Sequence, residues 1–272
     1  LRPYFKLENV IDGVFGLANR LYGITFKKQP AIPVWHKDVT AWEVYDKNGA
    51  FLAVLYTDFH PRQGKQSGAW MNDMIGQYRK NGKDFRPQIS ITMNFTPSTK
   101  EKPSLLTYDE VKTFLHEFGH ALHGMFSDVT YQSLSGTNVF RDFVEMPSQL
   151  MENWASEKEF LDAFAVHVET GEPIPDTLIH KIKAAERYHA AYACLRQLSF
   201  GYLDMAWHTL DKPLDKDVVS FEREAWKKAV ILPQPASCFM SATFGHLFSG
   251  GYAAGYYSYK WAEVLDADAY EW

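Results

Sequence analysis

The alternation of apolar and polar residues predicts one helix, a hairpin and a further strand in the first third of the chain. Apolar side chains recur at helical spacing through residues 6–22, which indicates an amphipathic helix. Residues 42–45 and 51–56 have the composition of strands and flank an Asn-Gly dipeptide typical of tight hairpin turns. Residues 89–95 alternate apolar and polar positions and are predicted as another strand, whereas 61–69 is predicted as a loop.

Beyond residue 107 the pattern is helical almost throughout. Thr107 and Glu110 match a capping box, in which two side chains satisfy free backbone amides at a helix start. The helix that they open is predicted to end at about Phe126. Three later helical stretches are predicted at 176 to about 210, about 216–229 and about 250–270. We therefore expect a mainly α (α+β) fold with a small β-sheet near the N-terminus, in a single region over residues 1–272.

Composition and charge exclude several classes of protein. The 272 residues are 46% hydrophobic and 22% charged, which rules out intrinsic disorder and fibrous repeats. A net charge of −5 without a long basic run argues against a nucleic-acid partner. Two cysteines, Cys194 and Cys238, are too few for a disulfide scaffold and lack the spacing of a thiolate metal site.

The chain shows no membrane or export signal. Its apolar stretches fall far short of the roughly 20 residues that a bilayer span requires, so no membrane partner is expected. No signal peptide is visible at Leu1-Arg2-Pro3, and we expect a cytoplasmic location. The chain lacks an initiator Met and ends at Trp272 within a helical pattern, so we expect it to be part of a longer protein.

The capped helix carries the sequence His116-Glu117-Phe118-Gly119-His120. Two histidines at positions i and i+4 lie on one helical face, so both imidazoles can reach one metal ion. Glu117 is rotated from that face by roughly 100°, so it addresses a water molecule rather than the ion. This is the pattern of zinc peptidases, with two ligands and a general base. The alternative is a helix with two partly buried histidines and a solvated glutamate.

Zinc in a catalytic site needs a third protein ligand. His123 lies on the same face roughly 10 Å beyond His116, and three groups in line on one straight helix cannot surround one ion. Glu145 is the better candidate, because it lies among apolar residues where an unpaired carboxylate would be costly. Pairing of Glu145 with Arg141 or another cation explains it equally well. Glu152, seven residues later, is predicted to hydrogen-bond a ligand histidine.

Three tyrosines near the end of the chain form a stripe at helical spacing. Tyr252, Tyr256 and Tyr259 occupy positions i, i+4 and i+7 and follow the pair Gly250-Gly251. The usual interpretation of such a stripe is core packing. The functional interpretation is that the phenol hydroxyls stabilise an oxyanion on a substrate carbonyl.

The residues around these motifs resemble those of a known family. Residues 116–123, the Ser-Gly-Thr-Asn sequence at 135–138 and residues 141–149 are similar to the thimet oligopeptidase family of zinc metallopeptidases, in its oligopeptidase A and peptidyl-dipeptidase Dcp branch. The resemblance covers essentially the whole chain and is densest in 107–155 and 242–266. It implies a zincin-like catalytic fold, one Zn²⁺ per chain and short peptides as substrates.

The resemblance also implies roles for individual residues. His116, His120 and Glu145 would be the zinc ligands, and Glu117 the catalytic base. The implied contacts with the substrate or transition state are His246, Tyr252, Tyr256 and Tyr259, among which we favour Tyr259 and Tyr256 as oxyanion donors. Strand 89–95 is a candidate edge strand for pairing with an extended peptide.

Three functions remain open from the sequence. The first is zinc-dependent hydrolysis of short peptides, by endopeptidase action or by removal of C-terminal dipeptides. Dipeptide removal needs a group that binds the terminal carboxylate, and nothing ranks the cations Arg62, Lys65, Arg141 and Lys260. The others are a zinc-binding but inactive fragment, since family members are more than twice this length, and a non-catalytic helical interaction module. The oligomeric state is not determined by the sequence.

Overall fold

The computed structural model describes residues 1–235 and 237–272 of the chain. Its first helix, α1 (Leu7–Tyr22), confirms the prediction for 6–22. This helix buries Val10, Val14 and Leu17 against the main core. It ends at Gly23, whose φ of 73° lies in the left-handed region that glycine adopts without steric cost.

A mixed sheet of five strands follows in the described part of the chain. The strands are β1 (Thr25–Lys28), β2 (Val39–Tyr45), β3 (Phe51–Asp58), β4 (Trp70–Ile75) and β7 (Gln88–Thr92), in the order β1-β2-β3-β7-β4. Strands β3 and β7 are parallel and the other neighbours are antiparallel. A separate small hairpin joins β5 (Tyr78–Lys80) and β6 (Lys83–Phe85). The predicted hairpin and the strand near residue 89 are confirmed, whereas β1, β4, β5 and β6 were not predicted.

The strand at the edge of the sheet beside β7 is not the one that the sequence suggests. The strand predicted at 89–95 is a candidate edge strand by sequence, but β7 pairs with β3 on one side and with β4 on the other. The edge is β4, which pairs with β7 from Trp70 to Ile75. Its sequence lacks a clear alternation because Asn72 and Asp73 are consecutive polar residues, and a register shift between Asp73 and Ile75 interrupts the pairing.

Helix α2 (Tyr108–Met125) packs on this sheet and carries the histidines. The predicted capping box is present, since Thr107 Oγ1 accepts from the Glu110 amide at 3.0 Å and Glu110 Oε2 accepts from the Thr107 amide at 2.6 Å. Phe114, Phe118 and Leu115 on this helix are fully buried in the main core. Three short helices come next: α3 (Arg141–Val144), α4 (Met146–Glu152) and α5 (Lys158–Leu161).

The last part of the chain is helical. Its first helix buries Ile179 and Ile182 in the main core, and the later helices surround a second, smaller core. The helices are α6 (Asp176–Arg187), α7 (Ala190–His208), α8 (Val218–Ala225), α9 (Gly245–Phe248) and α10 (Ser258–Glu271). The predicted stretch from 176 to about 210 is broken, because His189 has a left-handed φ of 55°. The predicted helix at 250–270 begins only at Ser258, so Tyr252 and Tyr256 lie in a turn. No helix of the described residues is long and apolar enough to cross a membrane.

Candidate active site

Three side chains from two parts of the fold converge on one point. His116 and His120 lie one turn apart on α2, with their ring centroids 5.0 Å apart. Glu145 lies at the junction of α3 and α4 and is 1% exposed. Its Oε2 is 3.2 Å from Nε2 of His116 and 3.1 Å from Nε2 of His120. One ligand atom from each of the three residues falls within 4.8 Å of the others, which is the arrangement that a shared metal ion requires.

This convergence depends on close packing of α2 against α4. A Cβ atom on Gly119 would lie 2.4 Å from the carbonyl oxygen of Pro147 and 2.6 Å from Cα of Ser148. Only glycine therefore allows the two backbones to approach this closely. The motif of the sequence singled out the histidines but not Gly119, because the reason for the glycine lies in another helix.

The hydrogen-bond partners of Glu145 do not include Arg141, the cation that the sequence offered as its partner. Ser148 Oγ donates to Glu145 Oε2 at 3.0 Å, and the Tyr252 hydroxyl donates to Glu145 Oε1. Arg141 instead places its guanidinium 5.0 Å from the centre of the Tyr252 ring. The pairing of Glu145 with Arg141 is therefore absent from the described structure.

Glu152 makes the expected contact with a histidine. Nδ1 of His116 lies 2.7 Å from Oε1 of Glu152, while Lys112 Nζ lies 3.5 Å from the other carboxylate oxygen. Because Glu152 favours a proton on Nδ1 of His116, Nε2 is the ring nitrogen that faces the site, and loss of the Nε2 proton on metal binding would free its lone pair for the ion. The donor set of two imidazoles and a carboxylate, oriented in this way, fits zinc.

Burial and charge act in opposite directions within the site. Burial alone would raise the pKa of Glu145, but the His116 and His120 imidazoles outweigh it and hold that pKa well below its usual range. Burial would lower the pKa of His116, yet hydrogen bonds to Glu145 and Glu152 raise it to about 10. Burial raises the pKa of Glu117 despite the two neighbouring imidazoles. Glu145 is thus stabilised as an anion that needs positive charge close by.

These groups open onto a cavity of about 310 Å³. Helix α2 contributes His116, Glu117 and His120, and the start of β4 contributes Trp70 and Met71. The remaining chemistry-bearing residues that line it are Arg141, His246, Tyr252 and Tyr259. The contribution of β4 was not foreseen, because the sequence shows no regular strand pattern at 69–75.

The three tyrosines lie together but have different surroundings. Tyr252 and Tyr259 stack with ring centroids 5.2 Å apart, and both line the cavity. Tyr256 packs in the second core and its hydroxyl lies 3.2 Å from Gln197 Oε1. Burial raises the pKa of each of these phenols, to about 12 for Tyr256. All three are therefore hydrogen-bond donors at neutral pH.

The four cations that could bind a substrate carboxylate have different surroundings in the structure. Arg62 and Lys65 both bind Asp58, at 2.8 and 2.9 Å. Lys260 pairs with Glu263 on α10. Among these four, Arg141 alone lines the cavity as the described residues form it. Among the described residues, no carboxylate lies within ion-pair distance of Arg141, so its guanidinium is free to bind a substrate anion.

His123 lies apart from the ligand group. Its ring centroid is 6.1 Å from that of Phe143, and its buried Nδ1 has no hydrogen-bond partner among the described residues. The three-residue group that can hold a metal does not include it.

The whole chain is similar to known peptidases. A model of peptidase family M3 matches residues 1–272. The chain is 44% identical to oligopeptidase A of Escherichia coli, over 99% of this chain and 40% of that protein. It is 42% identical to dipeptidyl carboxypeptidase of Salmonella typhimurium, over 100% of this chain and 40% of that protein. A thimet-like oligopeptidase of Dictyostelium discoideum is 35% identical, over 100% of this chain and 41% of that protein. The chain thus spans about two fifths of the length of these curated relatives.

Proposed function

We propose that this chain, which belongs to peptidase family M3, a metallopeptidase family, hydrolyses peptide bonds in short peptides. The observation that carries the proposal is the convergence of His116, His120 and Glu145 within 4.8 Å in a cavity that Glu117 also lines. The names of the relatives, oligopeptidase A and dipeptidyl carboxypeptidase, support peptides as substrates. We further propose that residues 1–272 form one catalytic region of a longer oligopeptidase.

The proposed cofactor is one zinc ion held by His116, His120 and Glu145. Zinc bound by these residues would polarise the scissile carbonyl and favour deprotonation of a water molecule. The contacts of Glu152 with His116, and of Ser148 and Tyr252 with Glu145, orient the ligands for this task.

Glu117 is the proposed general base. It lies next to a ligand histidine, lines the cavity and is 7% exposed. Because burial raises its pKa, the carboxylate accepts a proton from the attacking water more readily than an exposed glutamate does. The same group then donates that proton to the leaving amine.

Tyr259 is the proposed donor to the oxyanion. Its hydroxyl belongs to a protonated phenol at the cavity, and Tyr252 stacks against its ring. The predicted oxyanion role of Tyr256 has weaker support, because the Tyr256 hydroxyl contacts Gln197 and its ring is in the core. We propose that His246, which lines the cavity, contacts the substrate.

An extended peptide is proposed to lie along β4 (Trp70–Ile75). This strand is at the end of the described sheet order, and its first residues line the cavity. Pairing with its outer edge would hold the substrate backbone by main-chain hydrogen bonds. N-methylation of the substrate amides that face this edge should raise KM; an unchanged KM would count against the pairing.

The choice between endopeptidase action and dipeptide removal is proposed to depend on Arg141. Arg141 lines the cavity, and an arginine fork can bind a C-terminal carboxylate by two parallel hydrogen bonds. We therefore propose removal of C-terminal dipeptides. A peptide with an amidated C-terminus should then be cleaved at least about tenfold less efficiently than its free acid. Equal cleavage of the two peptides would favour endopeptidase action.

Peptide cleavage by the purified chain tests the function as a whole. A short internally quenched peptide is incubated with the zinc-loaded chain, with the chelator-treated chain and with Glu117→Gln. We expect turnover that zinc restores after chelation and that Glu117→Gln abolishes while keeping its zinc. Turnover by Glu117→Gln would refute its role as base, and zinc binding without turnover would favour the inactive-fragment alternative.

A cytosolic location is the last part of the proposal. One relative, from Arabidopsis thaliana, is named a probable cytosolic oligopeptidase A and is 42% identical to this chain. Fractionation of cells that produce the native protein checks this, since recovery with a membrane or organelle fraction would contradict it.

A further inference from the structure

Asp204 on α7 is a fully buried carboxylate that binds the turn carrying the tyrosines. Asp204 has no solvent-exposed surface. Oδ1 accepts from the Ala254 amide at 2.8 Å, and Oδ2 accepts from the Tyr256 amide at 2.8 Å. His208 Nδ1 lies 2.8 Å from Oδ1 as well. A buried carboxylate with such amide partners makes strong, directional hydrogen bonds.

The turn that Asp204 binds has an unfavourable backbone. Ala254 has a φ of 52°, in the left-handed region that residues with a side chain rarely adopt. The turn follows Gly250 and Gly251 and precedes α10, which begins at Ser258. Local sequence therefore favours no single conformation, and the bond from Ala254 to Asp204 stabilises the observed one.

The position of the turn sets the position of the phenols at the site. Tyr252 lies two residues before Ala254, and its hydroxyl reaches the carboxylate of Glu145. Tyr259 follows in the first turn of α10, and its ring stacks on that of Tyr252. A shift of the turn would move both hydroxyls relative to the proposed zinc ligands.

We propose that Asp204 is a positioning residue for the active site, which acts through the backbone of Ala254 and Tyr256 to hold Tyr252 and Tyr259 at the metal ligands. The inference rests on the proposed peptidase function for its kinetic consequence. Its structural part, the placement of the turn, stands on the hydrogen bonds alone. Asp204 itself is neither one of the proposed ligands nor one of the residues that line the cavity.

Glu222 on α8 offers a matched comparison. It is 1% exposed, and its carboxylate accepts from the amides of Met240 and Ser241, each at 2.7 Å. Ser241 Oγ also donates to it at 2.6 Å. Glu222 thus binds backbone amides by the same chemistry, but at residues 240–241 before α9 rather than at the tyrosine turn.

The test compares Asp204→Asn with Glu222→Gln in the full chain. Each variant replaces one accepting carboxylate oxygen by an amide group that donates, so one backbone amide loses its partner. We measure amide hydrogen exchange at residues 240–241 and 252–257, zinc content, thermal unfolding, and kcat and KM on a short peptide. Asp204→Asn should accelerate exchange at 252–257, keep its zinc, and lower kcat by about tenfold to hundredfold with a smaller change in KM. Glu222→Gln should accelerate exchange near 240–241 and change kcat by less than about threefold.

Two results would overturn the proposal. One is an unchanged kcat in Asp204→Asn despite faster exchange at the turn; the other is an equal loss of kcat in both variants, in proportion to their loss of stability. If Asp204→Asn does not fold, residue-resolved exchange on the wild-type chain decides: the amides of Ala254 and Tyr256 should be strongly protected, and rapid exchange of either refutes the contact. If the wild-type chain cleaves no peptide, the proposed function fails, while the exchange results still decide whether Asp204 holds the turn.

Discussion

The carboxylate of Glu145 and the imidazole of His120 meet at 3.1 Å, although Glu145 lies at the junction of α3 and α4 and His120 lies on α2. Glu145 is almost fully buried, and its other close partners are His116, Ser148 and Tyr252. A charged carboxylate is stable there only with positive charge or donors on every side. The same arrangement that satisfies Glu145 also aims three ligand atoms at one point.

Gly119→Ala tests how the ligands are brought together. A methyl group at residue 119 would collide with the backbone at Pro147 and Ser148, so α4 must move away from α2 and take Glu145 with it. We expect a loss of about 1–3 kcal/mol in the free energy of unfolding and at least about tenfold weaker zinc binding. Urea unfolding and competition with a chromogenic chelator measure the two effects.

The control for this substitution is Gly16→Ala. Gly16 lies inside α1, and nothing is within 4 Å of the position of its Cβ. This change should stabilise the chain by up to about 1 kcal/mol and leave zinc affinity unaltered. Equal zinc affinity in the two alanine variants would contradict the packing argument.

Glu152→Gln tests the orientation of His116. The glutamine keeps a hydrogen-bond acceptor near Nδ1 but loses the negative charge that favours a proton on that nitrogen. Zinc affinity should fall by about tenfold to hundredfold, with little change in thermal stability in the absence of metal. An affinity within about twofold of the wild type would show that Glu152 does not support the ligand.

Tyr259→Phe and Tyr256→Phe separate the two predicted oxyanion donors. Tyr259 lines the cavity, whereas Tyr256 does not and its hydroxyl contacts Gln197. Tyr259→Phe should therefore lower kcat by about 10²-fold to 10³-fold, and Tyr256→Phe by much less. Steady-state kinetics on one peptide measure both; the reverse ranking would restore Tyr256 as the principal donor.

The acid stability of the sheet should depend on Asp58. Burial alone would raise the pKa of Asp58, but hydrogen bonds from Arg62, Lys65 and Trp35 outweigh it and hold the pKa at about 2. A folded-state pKa below the unfolded value of about 4 means that the stabilisation is complete above pH 4 and is lost as the pH falls through 2. The ionised group contributes on the order of 2 kcal/mol at neutral pH.

Urea unfolding of Asp58→Asn against the wild type checks this dependence. At pH 7 the variant should be less stable, because Arg62 and Lys65 lose their buried anion. The difference should shrink between pH 4 and pH 2 as the wild-type carboxylate is protonated. A difference that stays constant over this range would exclude ionisation of Asp58 as its cause.

The parts of the molecule that local sequence determines were predicted well. Helix α2 could be read from its apolar spacing and from the capping pair Thr107 and Glu110, both of which act within a few residues. The positions of His116 and His120 on one face follow from the helix period alone. The turn at Asn48-Gly49 likewise requires only its own residues.

The parts of the molecule that depend on contacts between distant residues could not be predicted from local sequence. The stripe of Tyr252, Tyr256 and Tyr259 matches a helix, yet its first two members lie in a turn, because the Ala254 and Tyr256 amides bind Asp204 instead of continuing a helical ladder. The partners of Glu145 could not be chosen from local sequence, because Arg141 is only four residues away whereas His116, His120 and Tyr252 are distant along the chain. Strand β4 is extended because β7 pairs with it, not because of its own pattern.

Metal content by elemental analysis is the most direct test of the central claim, that His116, His120 and Glu145 together hold one metal ion. The chain is purified, supplied with zinc and dialysed beside His116→Ala. The geometry predicts about one zinc per wild-type chain and a large loss in the variant. Absence of zinc from the wild-type chain, or equal zinc in both proteins, would contradict the claim.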